Sequence, residues 1–336
     1  MAGDDKRFRI GLSGCSGALE SVSTSELLDL ASFVEALGYD ALWLNEEHFQ
    51  GGAGGGADGR RCLSPHILAS AMLARTSRLR IGFSVLLLAM HHPLRLAEDL
   101  ASLDVLSDGR IDFGVSRGAN PRYLSAFGIS EELTSHESFV ASLKRMKDAW
   151  SENAIEIGTD RISFQPKPIQ RPHPPVYVGT YTPETAVWAA GQGHRIICHG
   201  VNNLASIAPV MQSYVAAGGD ASQVPFGRFV YVSDSDESAK AELWETVLKL
   251  TTRLKSIGLA KRNNVVAEED LEPENFYANM VIAGGPDTCA RRIVDLREQF
   301  GVGYLNALAA FFGYLPLELL KKSLTLLARE VRPQLG

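Results

Sequence analysis

Eight times along this chain a short, nearly all-apolar run is followed by a longer stretch whose apolar residues recur at helical spacing. The runs are FRIGLS (8–13), ALWLN (41–45), RIGFSVLLL (80–88), IDFGVS (111–116), PVYVG (175–179), RIICHG (195–200), FGRFVYVS (226–233) and YLNALAAF (304–311). The first helical pattern, SELLDLASFVEALG (25–38), puts Leu27, Leu30, Ala31, Val34 and Leu37 on one side, with Thr24 or Ser25 able to cap its start and Gly38 suited to its end. Strands without polar alternation are buried on both faces, and strands that each return through a helix pair in parallel. Eight such units predict an α/β fold, a (β/α)8 TIM barrel, as a single domain over residues 1–336. Ligands of such a barrel sit at the C-terminal strand ends.

Two spacings are too long for a plain barrel and predict insertions after strands four and seven. EIGTDRISFQPKPIQRPHPP (156–175) reads as a small β excursion with a Pro-rich return, and residues 256–283 as a polar insertion before the last unit. GGAGGGADGR (51–60) directly follows the second strand; it lacks the Gly-Lys-Ser/Thr ending of a P-loop and is either mobile filler or a mobile lid. An apolar fraction of 45 % can fill a large core. A net charge of −6 without a Lys/Arg run argues against nucleic acid and anionic membranes as partners. The N-terminus lacks a signal-peptide pattern, and the longest purely apolar stretch, 85–90, is too short to cross a bilayer. Cys15, Cys62, Cys198 and Cys289 form no CxxC pair. A cytoplasmic protein with reduced thiols is therefore expected.

The candidate chemistry gathers at strand ends. GLSGCSG (11–17) has glycines spaced GxxGxxG rather than GxGxxG, and its helix starts late, so a dinucleotide fold fits poorly. ALWLNEEHF (41–49) ends an apolar strand on Asn45, Glu46, Glu47 and His48. Glu46, at the strand tip, is expected to hold backbone or the neighbouring histidine, and Glu47 or His48 to exchange protons with substrate. The competing reading is a solvated acidic turn. TYTPET (180–185) places Thr182 as an N-cap before Pro183, which predicts an anion site from the N–H groups of Glu184 and Thr185 and the hydroxyls of Thr182 and Thr185. His199, at the end of the sixth strand, is a candidate substrate contact. His91 and His92 lack a third ligand nearby and read as loop histidines, so no metal site is expected.

GYDALWLNEEHF, the run from Ser77 to Gly118, QPKPIQRPHPPVYVG and AGGPDTCARRI together resemble the bacterial luciferase-like flavin monooxygenases, over about Phe8 to Pro333. The resemblance implies a barrel that binds FMN, usually reduced and supplied by a separate flavin reductase, with dioxygen and a small organic molecule as co-substrates. Some relatives use a deazaflavin instead. It also implies a cis peptide at Ser84-Val85 beneath the flavin, Ser116 beside it, Arg117 facing its phosphate, and a phosphate-binding turn at Tyr181, Thr182 and Thr185. Two departures stand out. Glu47 occupies the place of luciferase's catalytic histidine, leaving His48 alone, and a family arginine early in helix four falls near Ser135 or His136. The expected activity is an FMN-dependent monooxygenase, acting as a homodimer; the alternatives are a deazaflavin-dependent oxidoreductase or a non-catalytic partner subunit.

Overall fold

The helical patterns become helices by burying an apolar face, several of them behind a side-chain cap. Helix α1 (Thr24–Ala36) starts at a capping box: the Ser23 hydroxyl accepts from the Glu26 N–H at 3.2 Å, and the Glu26 carboxylate accepts from the Ser23 N–H at 2.8 Å. The cap thus lies at Ser23, one residue before Thr24 and two before Ser25. Leu27, Leu30, Ala31 and Val34 are buried, as their spacing requires. The computed structural model describes residues 7–14, 22–49, 63–151, 153–260 and 266–336. The Gly-rich run 51–60, Cys15 and Cys62 lie outside the described residues.

Strands β1 (Arg9–Ser13), β2 (Ala41–Leu44), β3 (Arg80–Phe83), β4 (Leu86–Leu87) and β5 (Ile111–Ser116) form the first half of the sheet. A small antiparallel pair, β6 (Ile155–Ile157) and β7 (Asp160–Ile162), stands apart from it. The sheet continues with β8 (Val176–Gly179), β9 (Arg195–Ile197), β10 (Phe226–Val232), β11 (Val281–Gly284) and β12 (Tyr304–Ala307). Its strand order is β11-β10-β12-β1-β2-β3-β5-β8-β9, with β4 on β5. The sheet is parallel and curls on itself: beyond β9, Cys198 bridges to Phe226 of β10, and the Gly227 N–H donates to the Cys198 carbonyl at 2.7 Å. Helices α2 (Pro65–Leu73), α3 (Pro93–Leu106), α4 (Pro121–Phe127), α5 (His136–Trp150), α6 (Pro183–Gly191), α7 (Leu204–Ala216) and α8 (Asp236–Ser256) follow in turn, with two more at Pro286–Phe300 and Leu317–Leu326.

Trp43 lies inside the curled sheet with Tyr177, Ile197 and Tyr304, and its indole N–H donates to the Tyr304 hydroxyl at 2.8 Å. Gly11 and Gly82 leave the room it fills: a Cβ at Gly82 would lie 2.3 Å from the indole, and one at Gly11 within 3.0 Å. The first glycine of GLSGCSG therefore clears an aromatic core, with no nucleotide needed to account for it.

Several strand boundaries differ from the expectation; RIICHG, for example, stops as a strand at Ile197. RIGFSVLLL is split into β3 and β4 by a cis peptide between Ser84 and Val85. YLNALAAF stops at Ala307 and turns, with Phe311 and Phe312 at φ 49° and 53°. The segment 256–283 is not polar to its end: Val281–Gly284 is buried at all four residues and pairs with β10 as a further parallel strand. Trp188 is only partly buried, against Phe139. Among the described residues no helix is long and apolar enough to cross a membrane.

Candidate functional site

The end of β2 is organised by a buried carboxylate. Glu46 is 5 % exposed, and its N–H donates to the Val85 carbonyl at 3.3 Å. One carboxylate oxygen accepts from the Leu87 N–H at 2.7 Å. Imidazoles reach it from two directions: His48 Nε2 at 3.0 Å, and His91 Nε2 at 2.9 and 3.0 Å from the two oxygens. Burial by itself raises this carboxyl's pKa, but the hydrogen bonds of His91, Leu87 and His48 outweigh it and hold the group below its ordinary value. Glu46 is thus an ionised acceptor, as expected of a structural carboxylate. His91 is not a plain loop histidine. It joins this cluster across 45 residues of sequence.

His48 is half-buried, and its ring meets Tyr123 at 5.1 Å and Phe127 at 5.0 Å, both edge-on. Both aromatics belong to α4, a short helix absent from the expectation, capped by Asn120 and opened by Pro121. Glu47 is half-buried, and the carboxylate that His48 meets is Glu46. An exposed acidic turn does not describe Glu46.

A cavity of about 760 Å³ opens at the carboxyl ends of β5 and β8. Ser116, Arg117, His136, Tyr181, Thr182 and Thr185 line it. Arg117, Tyr181, Thr182 and Thr185 are the residues expected at a phosphate and Ser116 the one expected beside the flavin; His136 lies near where an arginine of the family falls. Arg117 is exposed there and, among the described residues, is in no ion pair with a carboxylate. The floor is close-packed: a Cβ at Gly179 would lie 3.0 Å from Val85 Cγ1 and 3.6 Å from Ser116 Cβ. Val85, Ser116 and Gly179 therefore converge, which joins the Ser84-Val85 peptide to this cavity. Arg122, missed in the sequence, also lines it. Its position just after the Asn120-Pro121 helix start was the available signal.

Thr182 caps α6 with extended backbone (φ −122°, ψ 140°) ahead of Pro183. The expected pair of free N–H groups is not intact, because the Thr185 N–H donates to the Thr182 hydroxyl at 3.4 Å. Among the described residues the Glu184 N–H is the one left for an anion, beside the Thr182 and Thr185 hydroxyls, which lie 3.0 Å apart.

His199 is outside the lining of this cavity, as are Glu47 and His48. Its ring stacks on Phe312 at 6.2 Å and accepts from the Val201 N–H at Nδ1 (3.4 Å), and burial pushes its pKa down to about 4. It is therefore a neutral imidazole at neutral pH. Cys198 beside it is buried, its thiol pushed up to about 12 by burial, and unreactive. Among the described residues no group of histidine, cysteine and carboxylate side chains could hold a metal ion.

A curled parallel sheet with an arginine and a capped helix start around a cavity at its carboxyl edge defines an α/β-barrel-type protein whose cavity opens at the strand ends. The Luciferase-like monooxygenase family model matches residues 8–303, and the chain belongs to that family of flavin-dependent monooxygenases. It is 30 % identical over 309 residues to the uncharacterized protein y4wF of Sinorhizobium fredii, covering 88 % of this chain and 86 % of that one. It is 29 % identical over 182 residues to the alkanal monooxygenase alpha chain of the Kryptophanaron alfredi symbiont; this match spans 53 % of the chain and about half, 49 %, of that relative. The fold is shared with the oxygenating constituent of 3,6-diketocamphane monooxygenase from Pseudomonas putida, a type II Baeyer-Villiger monooxygenase solved in complex with FMN. That likeness has a TM-score of 0.79 at 20 % identity and covers 98 % of this chain and 99 % of the other.

Proposed function

We propose that this chain is the oxygenase of a two-component system, a single barrel domain that takes reduced FMN from a separate reductase and uses dioxygen to oxidise a small organic substrate. The observation that carries the reading is the cavity lined by Arg117, Thr182 and Thr185 together with Ser116 and Gly179, with Val85 packed against Gly179. A guanidinium, two hydroxyls and a helix N–H suit a phosphate. A floor without room for a side chain at Gly179 suits a flat ring system.

Reduced FMN, when bound, supplies two electrons, so that one oxygen atom goes to the substrate and the other to water. The chain's own contribution is to hold, orient and exchange protons. Arg117 anchors the phosphate by charge, and Thr182 and Thr185 add hydroxyl donors. His48, held by Glu46, is the group that moves a proton at the substrate; Glu47 and His199 supply further polar contacts at the mouth. Glu184, whose carboxylate follows Pro183, is exposed and can turn to solvent.

The test is an anaerobic titration of the purified protein with reduced FMN and, separately, with a reduced deazaflavin, followed by admission of air. Saturable uptake of reduced FMN, with oxygen consumed by the complex, is the expected result. Uptake of the deazaflavin alone, with no reaction toward oxygen, overturns the proposal.

A further inference from the structure

We infer that Glu46 is a positioning residue with two separable jobs: it fixes His48 in the neutral tautomer protonated at Nε2, and it clamps the backbone on both sides of Leu86. The inference deepens the proposed function, since it rests on His48 as the proton-transfer group. An ionised carboxylate has no proton to give, so every partner of Glu46 must be a donor. His48 meets it through Nε2 at 3.0 Å. The proton of its neutral ring therefore sits on Nε2, and Nδ1 keeps the lone pair as the ring's basic site. His91 is fixed in the same tautomer by its own contacts at 2.9 and 3.0 Å. A carboxylate that orients an imidazole in this way governs which nitrogen can take a proton from substrate.

The second job concerns the cavity floor. The Glu46 N–H holds the Val85 carbonyl at 3.3 Å, and its carboxylate holds the Leu87 N–H at 2.7 Å. One residue of the β2 end thus grips the chain before and after Leu86. Val85, so held, is the side chain that a Cβ at Gly179 would meet at 3.0 Å.

Two substitutions separate the jobs. In Glu46→Gln the Leu87 amide, a fixed donor, claims the carboxamide oxygen. The NH2 group then faces His48 Nε2, which must accept, so the ring proton moves to Nδ1. In Glu46→Ala the carboxylate is gone, so His48 loses its partner and the Leu87 N–H its acceptor, while the backbone N–H of residue 46 still meets the Val85 carbonyl. Imidazole ¹H–¹⁵N spectra of the full chain, with the His48 signals assigned by their loss in His48→Asn, read the tautomer directly. Anaerobic titration with reduced FMN reads the floor. The wild type should carry its His48 proton on Nε2 and Glu46→Gln on Nδ1. Reduced-FMN affinity should be unchanged in Glu46→Gln and fall about tenfold or more in Glu46→Ala, the scale of one lost charged hydrogen bond. A His48 proton that stays on Nε2 in Glu46→Gln, or Glu46→Ala binding reduced FMN like the wild type, overturns the inference. Should Glu46→Ala fail to fold, the tautomer in Glu46→Gln decides alone. Failure of the wild type to bind reduced FMN would instead strike the flavin reading, and the tautomer spectra would still decide whether Glu46 orients His48.

Discussion

Replacing His48 with asparagine should lower the rate of product formation by roughly 10²–10⁴-fold, the usual contribution of a placed acid–base group, and lower the product formed per reduced FMN oxidised. Reduced-FMN binding should be unaffected, because His48 is not part of the phosphate cavity. The expectation follows from its surroundings. His48 touches solvent on one side, with its side chain 25 % exposed, and is fixed on the other by a buried carboxylate. Tyr123 and Phe127 pack edge-on against its ring and restrict its rotation. Such a group is both accessible and oriented. Glu47→Gln, made in parallel, should have the smaller effect, since the carboxylate that orients the histidine is its neighbour. The comparison is made with any acceptor that the wild type oxidises. Wild-type rate and coupling in both variants would leave the cluster without a part in the chemistry.

Arg117→Ala should weaken reduced FMN by about 10–100-fold, equivalent to roughly 1.5–3 kcal/mol for charged hydrogen bonds. Riboflavin, which lacks the phosphate, should bind the variant as it binds the wild type. Thr182 and Thr185 are weaker partners: neutral hydroxyls, with the Thr185 N–H already engaged by the cap. The charge therefore has to come from Arg117, with Arg122 nearby on the same cavity. Equal loss for both flavins would show that Arg117 acts on the fold or on the ring and not on a phosphate.

Much of this was legible in the chain. Strands such as IDFGVS and FGRFVYVS show no polar alternation because both faces are covered, and their burial in β5 and β10 follows. Arg117 is placed by resemblance, whereas Thr182 can also be placed as an N-cap after a barrel strand, where such sites collect; both line the cavity. Ser84-Val85 was marked by resemblance alone; nothing in the local composition of RIGFSVLLL announces a cis peptide. The contacts that sequence reading missed are those between distant segments. Glu46 and His91 meet only because β2 and the β3–β4 unit are adjacent. β11 was hidden because its apolar residues end a polar segment, and VIAG is too short to show a period. The first helical cap slipped because Ser23, Thr24 and Ser25 are all competent caps; the reach of Glu26 to the Ser23 N–H decides among them.

The central claim is that the cavity at the ends of β5 and β8 holds a flavin phosphate. A crystal structure of the protein soaked or grown with FMN tests it most directly. Phosphate density is expected within hydrogen-bonding distance of the Arg117 guanidinium and the Thr182 and Thr185 hydroxyls, with the ring system over Val85. FMN bound elsewhere, or with its phosphate in solvent and Arg117 untouched, would contradict it.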